Sequence, residues 1–230
     1  MPRVILFDID NTLLYSGGAG SLAMNMAFNE MFGISDGFAR VEFSGRTDRY
    51  ILQEGLSCHN IEGGCETYLL DFTRRYYSIL PRTLREREGR LMPGFPELLE
   101  ALTAGQARLG LATGNFSEAA RIKLEYYGVD KYFCGGGFGE ESVDRAAIVK
   151  SAIGRLADGA RPDEIMVVGD TPHDVSSALD NGVVGVGVAT GHYSAEDLKA
   201  AGARLVFADF SDWQSAAAQL LRASLAPGRS

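Results

Sequence analysis

The amino-acid sequence predicts an α/β fold, a doubly wound parallel sheet with a small helical insert after its first strand. Three observations predict it. Short continuous apolar runs recur along the chain, of the kind found in strands buried on both faces. Helical patterns separate them, and such strand–helix alternation builds a parallel sheet. One long stretch, 15–90, breaks the rhythm with helical patterns and little that reads as strand.

The first apolar run is 4–7, and later ones fall at 108–112, 165–168, 183–186 and 204–207. Between and around them lie helical patterns at 95–103, 117–127, 144–156, 172–180 and 195–201. The insert carries three more, at 22–32, 48–56 and 66–80. Glycines 17, 18 and 20 precede the insert, and Gly89, Pro93 and Gly94 follow it, which reads as two flexible connections. The expected organisation is therefore a core from 1–14 and 91–222, a cap from 15–90, and a flexible tail at 223–230.

Composition bounds the function. With 46% hydrophobic and 23% charged residues, the 230-residue chain can bury an ordinary core. No apolar run approaches the roughly 18 residues that a membrane span needs, and the first residues do not read as a signal peptide. A cytoplasmic protein with no membrane partner is the expectation. A net charge of -8 with no basic stripe argues against nucleic acid. Cys58, Cys65 and Cys134 form no CxxC pair, and Cys58, His59 and Cys65 fit no usual zinc spacing, so reduced thiols are expected. Only four residues are lysines, at 123, 131, 150 and 199.

In a parallel sheet, functional groups gather at the carboxyl ends of the strands. After the run at 4–7 come Asp8-Ile9-Asp10-Asn11-Thr12. Two carboxylates so placed can share a hard cation, and one can act as a nucleophile while the other handles protons. A turn rich in Asp and Asn explains the same residues equally well. After 108–112 come Thr113-Gly114-Asn115, where a hydroxyl, free amides and a helix N-terminus capped by Ser117 would seat a phosphate. After 165–168 come Gly169-Asp170-Thr171-Pro172-His173-Asp174. Thr171, Pro172 and Asp174 fit a capped helix start, but capping leaves Asp170 without a role. A second carboxylate facing Asp8 is what a magnesium site requires. The fourth group is a cation, Arg145 or Lys150, near the start of the helix before that strand.

The order Asp-x-Asp-x-Thr, Thr-Gly-Asn, a basic residue, then Gly-Asp-Thr-x-x-Asp resembles the haloacid dehalogenase superfamily on its phosphatase side, in particular phosphoglycolate phosphatases. The resemblance covers the whole chain, since that family carries a small helical cap after its second aspartate on a Rossmann-like core. It implies an Mg2+-dependent phosphoric monoester hydrolase that works through an aspartyl-phosphate. Asp8 would attack phosphorus, and Asp10 would protonate the leaving oxygen and then deprotonate water. The metal would be held by the Asp8 carboxylate, the Asp10 main-chain carbonyl and Asp170, with Asp174 in support. Thr113, Gly114 and Asn115 would bind the phosphate. A small phosphorylated metabolite such as phosphoglycolate would be the substrate, and the protein a monomer or homodimer.

Other chemistries on this scaffold leave different residues. A dehalogenase needs neither Asp10 nor Asp170, and a Schiff-base phosphonate cleaver needs a cap lysine, which is absent from 15–90. A phosphosugar mutase shares the core set, and an inactive binding protein remains the alternative outside enzymes. In the cap, Arg46 follows a glycine and precedes a helix N-cap at Thr47 or Asp48, which makes it the candidate for the substrate side, with Tyr15 and Arg49 beside it. His59, His173 and His192 receive no role, and Tyr68, Phe72 and Tyr76 read as core. Between the two cations the helix favours Arg145. It shares a stripe with Val149, Ala152, Ile153 and Leu156, whereas Lys150 lies roughly 7 Å further along at 1.5 Å per residue and off that stripe.

Overall fold

The computed structural model describes residues 3–222, so the tail expected at 223–230 lies outside the described residues. In chain order the elements are β1 (Val4–Phe7), β2 (Leu14–Tyr15), α1 (Ala19–Phe32), α2 (Asp48–Cys58), α3 (Gly64–Glu86) and β3 (Arg90–Leu91). There follow α4 (Glu97–Ala104), β4 (Arg108–Ala112), α5 (Ser117–Tyr126), β5 (Gly136–Gly137), α6 (Arg145–Leu156) and β6 (Ile165–Gly169). The chain closes with α7 (Pro172–Asp180), β7 (Val184–Val188), α8 (Ala195–Ala200), β8 (Leu205–Phe207) and α9 (Trp213–Arg222).

Six strands form one sheet in the order β5-β4-β1-β6-β7-β8, and every pairing is parallel. The apolar runs do what their composition requires. Along β1 the side chains alternate, with Ile5 and Phe7 packing into one layer with α4 and α9, and Val4 and Leu6 into the opposite layer with α6. β6 repeats this, with Met166 and Val168 on the first side and Ile165 and Val167 on the second. No helix among the described residues is long and apolar enough to cross a membrane.

Some local readings differ from the sequence expectation. α3 runs past Pro81 to Glu86, because Thr83 and Leu84 remain buried and Thr83 Oγ1 donates to the Ala19 carbonyl (3.0 Å). The connections of the insert are paired: β2 and β3 form a two-stranded antiparallel ribbon, Leu14 opposite Leu91 and Tyr15 opposite Arg90. β5 is two glycines, which carry no pattern that period detects, and α9 is not among the expected helices although Trp213, Ala216, Ala217 and Leu220 fall at helical spacing.

The helices of the insert share a core with the sheet layer. Met24 and Phe28 of α1, Leu52 of α2 and Phe72 and Tyr76 of α3 pack with Phe116 and Ala119, at the start of α5. The start of α2 sits directly on the turn after β4. The Asp48 amide donates to the Gly114 carbonyl (2.7 Å), and the Phe116 amide donates to Asp48 Oδ2 (2.9 Å). Burial raises the Asp48 carboxyl to about 7. Glycine at 114 is a steric requirement here: a Cβ would lie 2.3 Å from the Arg46 carbonyl oxygen and 3.0 Å from Thr47 Cα. Gly114→Ala should therefore force α2 off the turn, lowering stability by about 1–3 kcal/mol, as overpacking does. Thermal unfolding of the variant reads it, and an unchanged melting temperature would mean that this contact yields freely.

Candidate active site

Parallel pairing brings the carboxyl ends of β1, β4 and β6 side by side, since β1 lies between the other two. The turn after β1 is an Asp/Asn turn, with Asn11 at φ 57, a left-handed conformation that Asn tolerates. Its first residue, Asp8, stays in the ladder through its amide, which donates to the Val168 carbonyl (2.9 Å). The Asp8 carboxylate therefore faces the end of β6. There Asp8, Asp170 and Asp174 each offer an oxygen, and the three oxygens lie within 4.8 Å of one another. All three residues are buried.

Thr171 and Asp174 form a capping box at the start of α7. The Asp174 amide donates to Thr171 Oγ1, and the Thr171 amide and hydroxyl both donate to Asp174 Oδ2 (3.1 and 2.7 Å). Capping uses Oδ2, and Oδ1 is paired with Arg145. Thr12 Oγ1 donates to Asp170 Oδ1 (3.3 Å). The Arg145 guanidinium lies 3.3 Å from Asp8 Oδ1 and pairs more closely with Asp174 Oδ1. Lys150 is exposed on the far side of α6.

Crowded acids hold their protons. Burial, opposed by Arg145 and reinforced by Asp174 and Asp10, raises the Asp8 carboxyl to about 6. Burial followed by repulsion from Asp174 and Asp8 raises Asp170 to about 8. An all-oxygen set of carboxylates in this state suits a hard divalent cation, which would replace the protons.

Asp10 is placed otherwise. Its side chain turns from the trio toward α5, where Lys123 Nζ donates to Oδ1 and Oδ2 (2.8 and 2.7 Å) and Asn115 Nδ2 donates to Oδ2 (2.8 Å). Thr113 Oγ1 accepts from Asn115 Nδ2 (2.9 Å) and from the Asn115 amide (3.2 Å). The expected helix seat for phosphate is changed. Ser117 does not cap α5: the capping position falls on Phe116, without a side-chain bond. The first amides of α5 are taken by protein acids, Phe116 by Asp48 and Ser117 by Glu140. Gly114 and Asn115 line the site, and Thr113 is fully buried behind Asn115.

Above these groups is a cavity of about 290 Å³ whose roof comes from the insert, including Met24, Phe43, Arg46 and Tyr76. Thr47 caps α2 by accepting from the Tyr50 amide. Arg46 lines the cavity, pairs with Glu42 (3.5 Å) and lies over the Tyr50 ring. Its Nε is buried without a hydrogen-bond partner among the described residues. Tyr15 also lines the cavity, whereas Arg49 bonds the Glu140 carbonyl (2.9 Å) and tethers the insert to the core. Phe72 and Tyr76 are core, as expected, and Tyr76 is also cavity wall. The three cysteines are free thiols.

Sequence reasoning weighed Arg145 against Lys150 and passed over Lys123. A signal existed: Lys123 falls three and four residues after Ala120 and Ala119, on the face of α5 that is buried. A lysine on an apolar stripe is a candidate for a charge partner inside the fold.

The family profile of the haloacid dehalogenase-like hydrolases matches residues 2–182, and the chain belongs to that family. Within it the chain is a phosphoric monoester hydrolase of phosphoglycolate phosphatase-like type. It is 27% identical over 228 residues to phosphoglycolate phosphatase of Rhodospirillum rubrum, covering 93% of this chain and 91% of the relative. It is 28% identical over 205 residues to a 5'-nucleotidase of Pseudomonas aeruginosa, covering 85% and 86%. A predicted phosphatase from Clostridium acetobutylicum has the same fold, with a TM-score of 0.72 at 21% identity over 95% of this chain and 99% of that one.

The raised carboxyls give the site a pH signature. A carboxyl whose folded value lies above its ordinary 3.8 contributes stability present at low pH and lost as pH rises, here through about 6 for Asp8 and about 8 for Asp170. A divalent cation held by these carboxylates would need them ionised, so the rise in melting temperature on adding magnesium to EDTA-treated protein should grow from pH 5 to pH 8. An increment independent of pH would exclude these carboxylates as the binding groups.

Proposed function

We propose that this enzyme hydrolyses a small phosphorylated metabolite, phosphoglycolate or a close relative, through an aspartyl-phosphate on Asp8, with residues 15–90 acting as a cap. The observation that carries the reading is the buried carboxylate trio under the cavity, with the Arg145 guanidinium 3.3 Å from Asp8 Oδ1. An oxygen of Asp8 attacks phosphorus and the bond to the leaving oxygen breaks, Asp10 giving that oxygen its proton. Water then attacks the same phosphorus, Asp10 takes the water's proton, and the Asp8–phosphorus bond breaks. Arg145 and the Thr113 hydroxyl, with Asn115 beside it, hold phosphate oxygens as charge spreads over them.

Asp8, Asp170 and the Asp10 main-chain carbonyl, with Asp174 in support, are the groups that would hold Mg2+. The ion would supply neutralisation of the phosphoryl oxygens. Arg46 is the residue assigned to the leaving group, since its guanidinium sits on the cap side of the cavity.

Asp8→Asn preserves volume and removes the nucleophilic anion, so turnover should fall by several orders of magnitude, about 10⁴-fold or more. Circular dichroism should show the fold intact, and appreciable activity in the purified variant would overturn the mechanism. Screening phosphomonoesters with and without Mg2+ tests the substrate, with phosphoglycolate expected to lead nucleoside monophosphates.

Arg46→Ala should raise KM or lower kcat for the substrate so found. It should matter much less for p-nitrophenyl phosphate, whose leaving group offers no second anion. Equal losses on both would make Arg46 structural.

A further inference from the structure

Lys123 is nearly completely buried, 3% exposed, on a helix of the core. An ammonium in such a place costs several kcal/mol to desolvate unless it is fully paired. Its three hydrogens are all used: Asp10 Oδ1 at 2.8 Å, Asp10 Oδ2 at 2.7 Å and Asn115 Oδ1 at 2.6 Å. The last bond has a consequence, because an ammonium only donates and Asn115 must present its oxygen to it. The Asn115 amide nitrogen is thereby turned to Asp10 Oδ2. Asp10 thus accepts three hydrogen bonds in this network, which fix the place of both its oxygens. The cap leaves room for the arrangement: α1 passes Lys123 at Gly20, where a Cβ would stand 3.4 Å from Nζ and 3.5 Å from Cε.

We propose that Lys123 is a positioning residue for the second half of the reaction, holding Asp10 as the carboxylate that accepts a proton from the water attacking phosphorus. The inference rests on the proposed aspartyl-phosphate at Asp8. In that half, the water oxygen bonds to phosphorus, the Asp8–phosphorus bond breaks and the water proton passes to Asp10. Without Lys123, Asp10 Oδ1 loses its donor, Oδ2 keeps only Asn115 Nδ2, and Asn115 loses the contact that orients it. With a leaving group that needs no proton, formation of the aspartyl-phosphate makes no use of Asp10 as an acid and rests on Asp8 and Arg145, which Lys123 does not touch.

p-Nitrophenyl phosphate separates the halves, because its leaving group needs no proton. With it, kcat/KM reports formation of the intermediate, and kcat also reports its hydrolysis. Lys123→Met fills the same space without the charge. Its kcat should fall by about 30-fold or more while kcat/KM stays within about threefold of the original, so KM falls with kcat. A burst of p-nitrophenolate near one equivalent per enzyme should precede the slow steady state. Lys123→Leu, which likewise offers no donor, serves if the methionine variant does not fold, and the same criteria apply. Parallel loss of kcat and kcat/KM without a burst overturns the proposal, as does failure of both variants to fold, since either makes Lys123 a structural cation. Asp8→Asn is measured alongside. Activity there removes the aspartyl-phosphate itself, whereas an inert Asp8→Asn beside an active original leaves the Lys123 variants to decide the role of Lys123.

Discussion

Putting three carboxylates within 4.8 Å of one another inside a protein is the constraint on which the rest of this structure depends. Each is desolvated and each repels the others, so the fold must supply compensation in place. It does so from several elements at once. Arg145 comes from the start of α6, Thr12 from the turn after β1, and the capping box from the start of α7. These elements converge because β1 is the middle of three adjacent parallel strands whose ends are in register. An antiparallel neighbour would have carried its own turn to the other edge. The buried, doubly covered sheet is thus the condition for the acid cluster, and its apolar runs serve the chemistry by placing its residues.

The cap is bound to the same edge by a second set of acids. Asp48 and Glu140 take the first amides of α5, the donors that in a free helix would attract an anion. One carboxylate belongs to the insert and the other to the core, and Arg49 links them by bonding the Glu140 carbonyl. The helix end has become a docking point for the cap, and Gly114 and Asn115 are left as the residues of the turn that face the cavity. Closing the hydrophobic core of the insert with Phe116 and Ala119 has the same effect. The insert and the phosphate turn are one packed unit, so the position of α2 and the position of Thr113 are coupled mechanically.

How much of this was legible beforehand follows from where each signal resides. β1 and β4 were read to the residue, and α7 too, because continuous apolar runs and a capping box are local patterns. The acids at 8, 10, 170 and 174 were legible because strand ends are defined by the runs before them. Arg145 was separated from Lys150 by helical phase, and the structure indeed buries the one side chain and exposes the other. What could not be read is contact between elements distant in sequence. Asp48 meeting Phe116, Glu140 meeting Ser117 and Lys123 meeting Asp10 are separated by 68, 23 and 113 positions. A helix amide taken by a remote carboxylate looks, in sequence, like any free helix start. β5 was missed for another reason: two glycines have no side chains to show a period.

The two buried cations divide the work according to their shapes. A guanidinium is planar with five donors, so Arg145 can span Asp8, just after β1, and Asp174, in the first turn of α7. An ammonium is compact with three donors, and Lys123 spends them on one carboxylate and one amide oxygen. Together they still leave the site acidic. Asp8, Asp10, Asp48, Asp170 and Asp174 outnumber Arg145 and Lys123 by three charges when all are ionised. A phosphomonoester dianion would be repelled by such a site, and a protein this acidic overall offers no compensating long-range field. Burial first, and repulsion among the acids after it, raises Asp8 and Asp170, so the excess adds to what desolvation already does. A divalent cation relieves it without blocking the nucleophile, because it keeps the carboxylates ionised while cancelling their repulsion of the substrate. The excess of negative charge is thus a physical argument for the metal that stands apart from the motif.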